Sequence, residues 1–155
     1  PYGIEFWPEY KGRDGCRTPM PWEPSNGQAG FSTVKPWLPV SIQHLHNTVA
    51  DQEQDASAIL HHYRRAIAFR QAHPVLRTGA HEVVRHAGDV VFFTREDARS
   101  KLFCAFNISD SPSEIALPEG RWSRVGEDLG AADLPETGPV RLGPWQVCLA
   151  LRQDK

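Results

Sequence analysis

At Gly79 the hydrophobic pattern of this chain changes from helical spacing to alternation, and that change limits the folds open to it. Before it, Ile59, Leu60, Tyr63, Ala66 and Ile67 recur along one helix face. Asp55 or Ser57 can cap the start. His73-Pro74 ends it, because the residue before a proline is turned away from helical angles. The spacing predicts a helix over about 55–72, with Arg64, Arg65 and Arg70 in the half where cations suit the helix dipole. After Gly79, the runs 81–86, 90–95, 101–108, 113–117, 121–125, 140–142 and 145–151 read as short strands. Ala87-Gly88-Asp89 and Asp97-Ala98-Arg99-Ser100 are the turn signals between the first three of them. In the last run Trp145, Val147, Leu149 and Leu151 fall on one face, and Gln146, Cys148 and Ala150 on the other. About seven short strands, each soon followed by a turn, indicate an antiparallel β-sandwich.

The first fifty or so residues are different. They hold Phe6-Trp7-Pro8, Pro19, Pro21-Trp22, Pro24, Pro36-Trp37 and Pro39, and they read as loop. A segment so rich in Trp and Phe is not a disordered linker, and a long ordered loop needs a partner surface or a function. Within it, Gly12-Arg13-Asp14-Gly15-Cys16-Arg17-Thr18-Pro19-Met20-Pro21-Trp22 sets two arginines four residues apart in a run that ends in an indole. Forked guanidinium donors beside an aromatic face suit a polyhydroxylated ligand. The alternative is a surface loop whose arginines pair with local carboxylates.

Whole-chain properties exclude several classes. At 155 residues there is room for one domain or two small ones with a buried core. A net charge of −2 argues against a phosphate-driven nucleic-acid binder. No apolar run is long enough to span a bilayer, so no membrane partner is expected. Three widely spaced cysteines, Cys16, Cys104 and Cys148, do not form a disulfide framework and fit a reducing, cytoplasmic setting. The seven histidines include His44 and His46 and the adjacent His61 and His62, but none has a carboxylate or Cys partner at a familiar ligand spacing. Neither a metal site nor a cofactor is expected. The chain begins at Pro1 without an initiator Met, which leaves room for residues before it.

The Arg-bearing run resembles the GRDxxRTPMxW segment of α-glucosidases in the α-amylase superfamily, glycoside hydrolase family 13. The likeness continues through Gly30-Phe31-Ser32 and Lys35-Pro36-Trp37-Leu38-Pro39-Val40. It extends through the helix, with its Tyr63-Arg64 and Phe69-Arg70, to Val91-Phe92-Phe93-Thr94-Arg95 and the strand from Leu102. The resemblance implies a mixed α and β fold: the last loop and helix of a (β/α)₈ barrel followed by an antiparallel β-sandwich C-terminal domain. The division expected on this basis is 1–78 for the barrel end and 79–155 for the β domain.

The same resemblance implies what such a chain contributes. Retaining glycosidases of this kind use a nucleophilic carboxylate and an acid/base carboxyl, and in the family both precede the GRD segment. No catalytic role is therefore assigned to Asp14, Glu23 or Asp51, and the chain alone is expected to be inactive. The family's GRD arginine pairs with an Asp and binds the 4-hydroxyl of the terminal glucose. That role carries over to Arg13, with Arg17 as second candidate for substrate binding or as a brace to loop carbonyls. Asp14 is expected to orient an arginine or cap a turn, and Trp22 and Trp37 to serve as sugar platforms or packing anchors. Pro21 departs from the Gln that many relatives carry. The expected partners are an oligosaccharide and the N-terminal barrel of the same enzyme. Rival readings are part of a trehalose synthase or transglycosylase, and a non-catalytic carbohydrate-binding β-sandwich.

Overall fold

A computed structural model of the chain describes residues 13–24, 27–82 and 85–153. Gly12 and the Phe6-Trp7-Pro8 run lie outside the described residues, as do 83–84 within the expected strand 81–86. The chain divides into two compact units, Pro1–Tyr63 and Arg64–Lys155.

The described backbone of the first unit is mostly irregular, as its prolines require. Its regular pieces are two 3₁₀ turns, Asp14–Cys16 and Ile42–His46, then helix α1 (Val49–Gln54) and the start of helix α2 (Ile59–Ala72). Helix α1 lies in a stretch with no expected element. It is too short to show apolar periodicity, yet it carries a capping box. The Thr48 hydroxyl accepts the Asp51 N–H at 3.2 Å, and the Asp51 carboxylate accepts the Thr48 N–H at 3.2 Å.

Helix α2 begins four residues later than its spacing suggested. The Asp55 carboxylate accepts the Ser57 N–H at 2.9 Å and the Ser57 hydroxyl at 2.6 Å, closing a turn ahead of the helix. The side-chain oxygen of Gln52 takes the Leu60 N–H at 3.2 Å instead. So Asp55 caps a turn, and Gln52 serves the helix.

In the second unit, α2 stops at Ala72 as His73-Pro74 dictates. The His73 backbone N–H and ring Nδ1 both meet the Phe69 carbonyl, at 3.1 and 2.8 Å, which makes Nδ1 the protonated ring nitrogen. A single further turn, α3 (Val75–Thr78), follows.

Eight strands come next: β1 (Ala80–His81), β2 (Arg85–Ala87), β3 (Val90–Glu96), β4 (Lys101–Asn107), β5 (Ser113–Ile115), β6 (Trp122–Arg124), β7 (Val140–Leu142) and β8 (Val147–Arg152). Six of them form an antiparallel sheet in the order β1-β3-β4-β8-β6, with β2 also on β3; β5 and β7 form a second, two-stranded sheet. The β2–β3 hairpin turns at Gly88, whose φ is +57°, and the β3–β4 hairpin at Asp97, whose carboxylate accepts the Arg99 and Ser100 N–H groups at 2.8 and 2.9 Å. Both turns fall where the sequence signals placed them.

The alternation along β4 and β8 explains how this sheet is covered on both faces. Phe103, Ala105, Cys148 and Ala150 pack with Ile115, Val140 and Leu142 of the small sheet. Leu102, Cys104 and Leu149 point the other way and pack with Val75, Leu76 and Phe69 of the helices. The first cluster makes a sandwich, and the second seats a helix layer on its back.

Asn107, 3% exposed, ends β4 fully satisfied. It donates to the Ser111 and Gly143 carbonyls at 2.7 and 2.9 Å and accepts from the Ser109 N–H and hydroxyl at 3.1 and 2.9 Å. Trp145 corrects the expected last strand. It sits at a φ of +57° in the turn after Pro144, 67% exposed, and β8 starts only at Val147. A tight turn that returns the chain to β8 leaves Trp145 no place on either face.

Candidate functional site

The Arg-bearing motif folds as a 3₁₀ turn followed by an extended arm. The Arg13 carbonyl accepts the Cys16 N–H at 3.2 Å and its thiol at 3.0 Å, while the Asp14 carbonyl accepts the Arg17 N–H at 3.0 Å. This puts Arg13 and Arg17 at the two ends of one turn. Both side chains are exposed, and among the described residues neither guanidinium has a hydrogen bond or ion pair. Arg17 therefore braces no described carbonyl. Asp14 closes the turn through its backbone rather than its carboxylate.

The arm is held on two sides. The Trp22 and Glu23 N–H groups both reach the Ala29 carbonyl, at 2.8 and 3.1 Å, so the Gly30-Phe31-Ser32 turn lies against the motif. Ala29 and Gly30 adopt left-handed angles, φ +50° and +70°. A Cβ on Gly30 would come within 3.2 Å of the Trp22 Cβ and Glu23 Cγ, so glycine fits this approach and bulkier residues do not. On the other side, the Pro21 and Trp22 carbonyls accept the Val49 and Ala50 N–H groups at 3.0 Å each. Pro19, Ala29, Leu38 and Thr48 are buried beneath.

Two motifs read separately in the sequence are thus one structural piece, with α1 as its third part. Sequence reasoning missed that third part, although Thr48 and Asp51 three residues apart were its signal.

Large apolar side chains of this unit remain in solvent. Trp37 is 74% exposed and Ile42 77%, with Trp22, Met20 and Phe31 about half exposed. Trp37 is therefore no packing anchor among the described residues. Among those residues no group of three or more His, Cys, Asp or Glu side chains could hold a metal ion, and no helix is long and apolar enough to cross a membrane.

Comparison with known proteins gives a consistent set of matches. Residues 4–79 match the family model described as the alpha amylase catalytic domain. A probable alpha-glucosidase of Rhizobium meliloti (strain 1021) is 51% identical over 123 residues, covering 78% of this chain and 22% of the relative. An oligo-1,6-glucosidase of Parageobacillus thermoglucosidasius is 28% identical over 142 residues, covering 88% of this chain and 25% of the relative. Among solved structures, an alpha-glucosyl transfer enzyme superposes over 99% of this chain and 28% of its own, with a TM-score of 0.86 and 40% identity. The chain spans about a quarter of the length of the relatives it matches.

Proposed function

The chain belongs to the α-amylase family, and from that premise we propose that it forms the C-terminal part of a retaining, exo-acting α-glucosidase. In this reading, 1–78 completes the catalytic barrel and 79–155 is the C-terminal β domain. The end of the catalytic-domain match at residue 79 supports that division. The nucleophile and acid/base carboxylates belong to the preceding part of the enzyme.

Arg13 is the recognition residue. The observation that carries this is its exposed guanidinium, unpaired among the described residues, on a turn whose continuation is tied to two neighbouring segments. A guanidinium displayed on a fixed backbone offers a directed fork of donors. A carboxylate of the barrel facing it would accept where Arg13 donates, so one sugar hydroxyl satisfies both. Such a pair at the 4-hydroxyl of the terminal glucose closes the pocket and makes cleavage exo. Arg17, at the far end of the same turn, is the second substrate contact. The exposed Trp37, Ile42 and Phe31 support an apolar partner surface for this unit, supplied by the N-terminal barrel.

The test is Arg13→Ala in the full-length enzyme, assayed on p-nitrophenyl α-glucoside. Removing one charged hydrogen bond costs roughly 1.5–3 kcal/mol, so kcat/KM should fall by at least about tenfold. Activity within a few-fold of the parent would remove Arg13 from the pocket. A second reading, glucosyl transfer rather than hydrolysis, is favoured by the 40% identical transfer enzyme. Product analysis at high maltose separates the two: glucose alone for a hydrolase, longer or isomeric glucosides for a transferase.

A further inference from the structure

A cavity of about 330 Å³ opens inside the second unit, between the C-terminal half of α2, α3 and the helix-side face of the large sheet. Its size lies at the low end of the ~300–1,000 Å³ common for small-molecule pockets. Phe69, Phe93 and Phe106 wall it, and Cys104 and Leu149, 2% and 6% exposed, form its floor. The Phe93 and Phe106 rings lie 6.0 Å apart and 24° from parallel, and the ring of His81, which also lines the cavity, sits 5.0 Å from Phe93.

The charge around this cavity has one sign. Among the described residues Arg70 and Arg95 line it, and no Asp or Glu does. Pairing on β3, β4 and β1 explains how Arg95 reaches it: Arg95 stands opposite His81 and Leu102, on the same sheet face as Phe93 and Cys104. Elsewhere in the unit, Arg124 and Arg141 have carboxylate partners, Asp133 at 2.6 Å and Glu114 at 3.1 Å. Among the described residues Arg70 and Arg95 have none, and both line this one cavity. A purely apolar guest would leave both guanidinium groups without an anionic partner, and an inorganic anion would set its charge against phenyl rings.

We propose that this cavity binds an aryl carboxylate, its ring against the phenylalanine side chains and its carboxylate on Arg95 and Arg70. Both groups are placed for their task. A guanidinium fork fits a carboxylate in two parallel hydrogen bonds, and flat rings favour offset or edge contacts with a planar guest. The site lies wholly in the second unit and is independent of the role given to Arg13.

The test uses the 155-residue chain with 2-naphthoate as probe and 2-naphthalenemethanol as its uncharged counterpart, each titrated by fluorescence. Naphthoate should bind at least about tenfold more tightly, the worth of one charge-assisted hydrogen bond. Arg95→Gln should abolish that preference while leaving the alcohol's affinity unchanged. Arg70→Gln, at an exposed helix position, carries the same expectation should Arg95→Gln fail to fold. Ala66→Trp, which fills the cavity from α2, should weaken both probes at least about tenfold, with unchanged melting as evidence of folding. Equal affinity for the two probes, no naphthoate binding at millimolar concentration, or binding indifferent to Ala66→Trp would each overturn the proposal.

Discussion

The carbonyl of Pro21 accepts the Val49 N–H at 3.0 Å, so the proline of the Arg-bearing motif holds the first turn of helix α1. Trp22 does the same for Ala50, and Thr48 and Asp51 satisfy each other's N–H groups. All the donors a helix N-terminus leaves open are thereby occupied. The motif, the glycine turn at 29–30 and α1 share one hydrogen-bond system, and the arginine turn at 13–17 extends from it.

Because Pro21 contributes through its carbonyl, its side chain is replaceable. Pro21→Gln keeps the bond to Val49 and should cost only about 0.4–1 kcal/mol, from the greater freedom of the unfolded chain. Thr48→Ala removes the buried hydroxyl that caps α1 and should cost about 0.5–2 kcal/mol. Denaturant unfolding followed by tryptophan fluorescence ranks the two. A larger loss for Pro21→Gln would mean that the ring, not the carbonyl, ties the motif down.

The same cap sets a pH dependence. Hydrogen bonds from the Thr48 side chain, then its backbone, hold the Asp51 carboxyl below its ordinary value. A carboxyl depressed in the folded state binds its proton more weakly there than in the unfolded chain. Its stabilisation is therefore full above the unfolded value, about pH 3.9, and is lost as pH falls through the folded one. Carbon-detected NMR titration should place Asp51 below a model carboxyl, and Thr48→Ala should return it upward. No movement in that variant would detach Asp51 from the cap.

How much of this was legible in the sequence depends on the length of each signal. Strands β4 and β8 were readable because 102–106 and 147–151 alternate between two apolar faces, and the hairpins on either side of β3 were readable because their turns carry Gly88 and Asp97. Helix α1 was not, because six residues cannot display a helical period; only the Thr48–Asp51 spacing marked it. Trp145 misled because alternation alone cannot register that Pro144 and a positive φ take the chain out of the strand. Arg13 and Arg17 stood out by residue type and by likeness to a motif. What holds their turn in place did not, since Ala29, Val49 and Ala50 act through backbone groups that every residue possesses. The aryl-sized cavity was invisible for a related reason: its residues come from α2, α3, four strands and a connecting turn.

Cys104 and Cys148 lie on adjacent strands but face opposite sides of the sheet, Cys104 toward Leu149 and Val75, Cys148 toward Phe103 and Val140. They cannot form a disulfide without turning a strand over. Burial pushes the Cys104 thiol up to about 12 and the Cys148 thiol to about 11. At pH 8 a thiol-disulfide reagent should titrate Cys16 alone in the native chain and all three cysteines in guanidinium. With folded values above the unfolded one, about 8.5, stability from the two buried thiols is full below that pH. It is lost as pH rises toward the folded values. Rapid native reaction of a second thiol would show that one face of the sheet opens readily.

Gly30 is the position where the motif's geometry is most exposed to a single methyl group. Its φ of +70° disfavours any L side chain, and a Cβ there would press on Trp22 and Glu23 at 3.2–3.3 Å. The left-handed angle costs about 1–2 kcal/mol for a residue with a Cβ. The contact adds to that by pushing Trp22, whose N–H is fixed to the Ala29 carbonyl at 2.8 Å. Gly27, three residues earlier, has nothing within 4 Å of its Cβ position and serves as the matched control. Gly30→Ala should lower the melting temperature and shift the tryptophan emission, whereas Gly27→Ala should do neither. Should the two variants melt together with unchanged emission, Trp22 is not held by the 29–30 turn. The arm that follows Arg13 would then be free to move, and with it the backbone turn on which the role proposed for Arg13 depends.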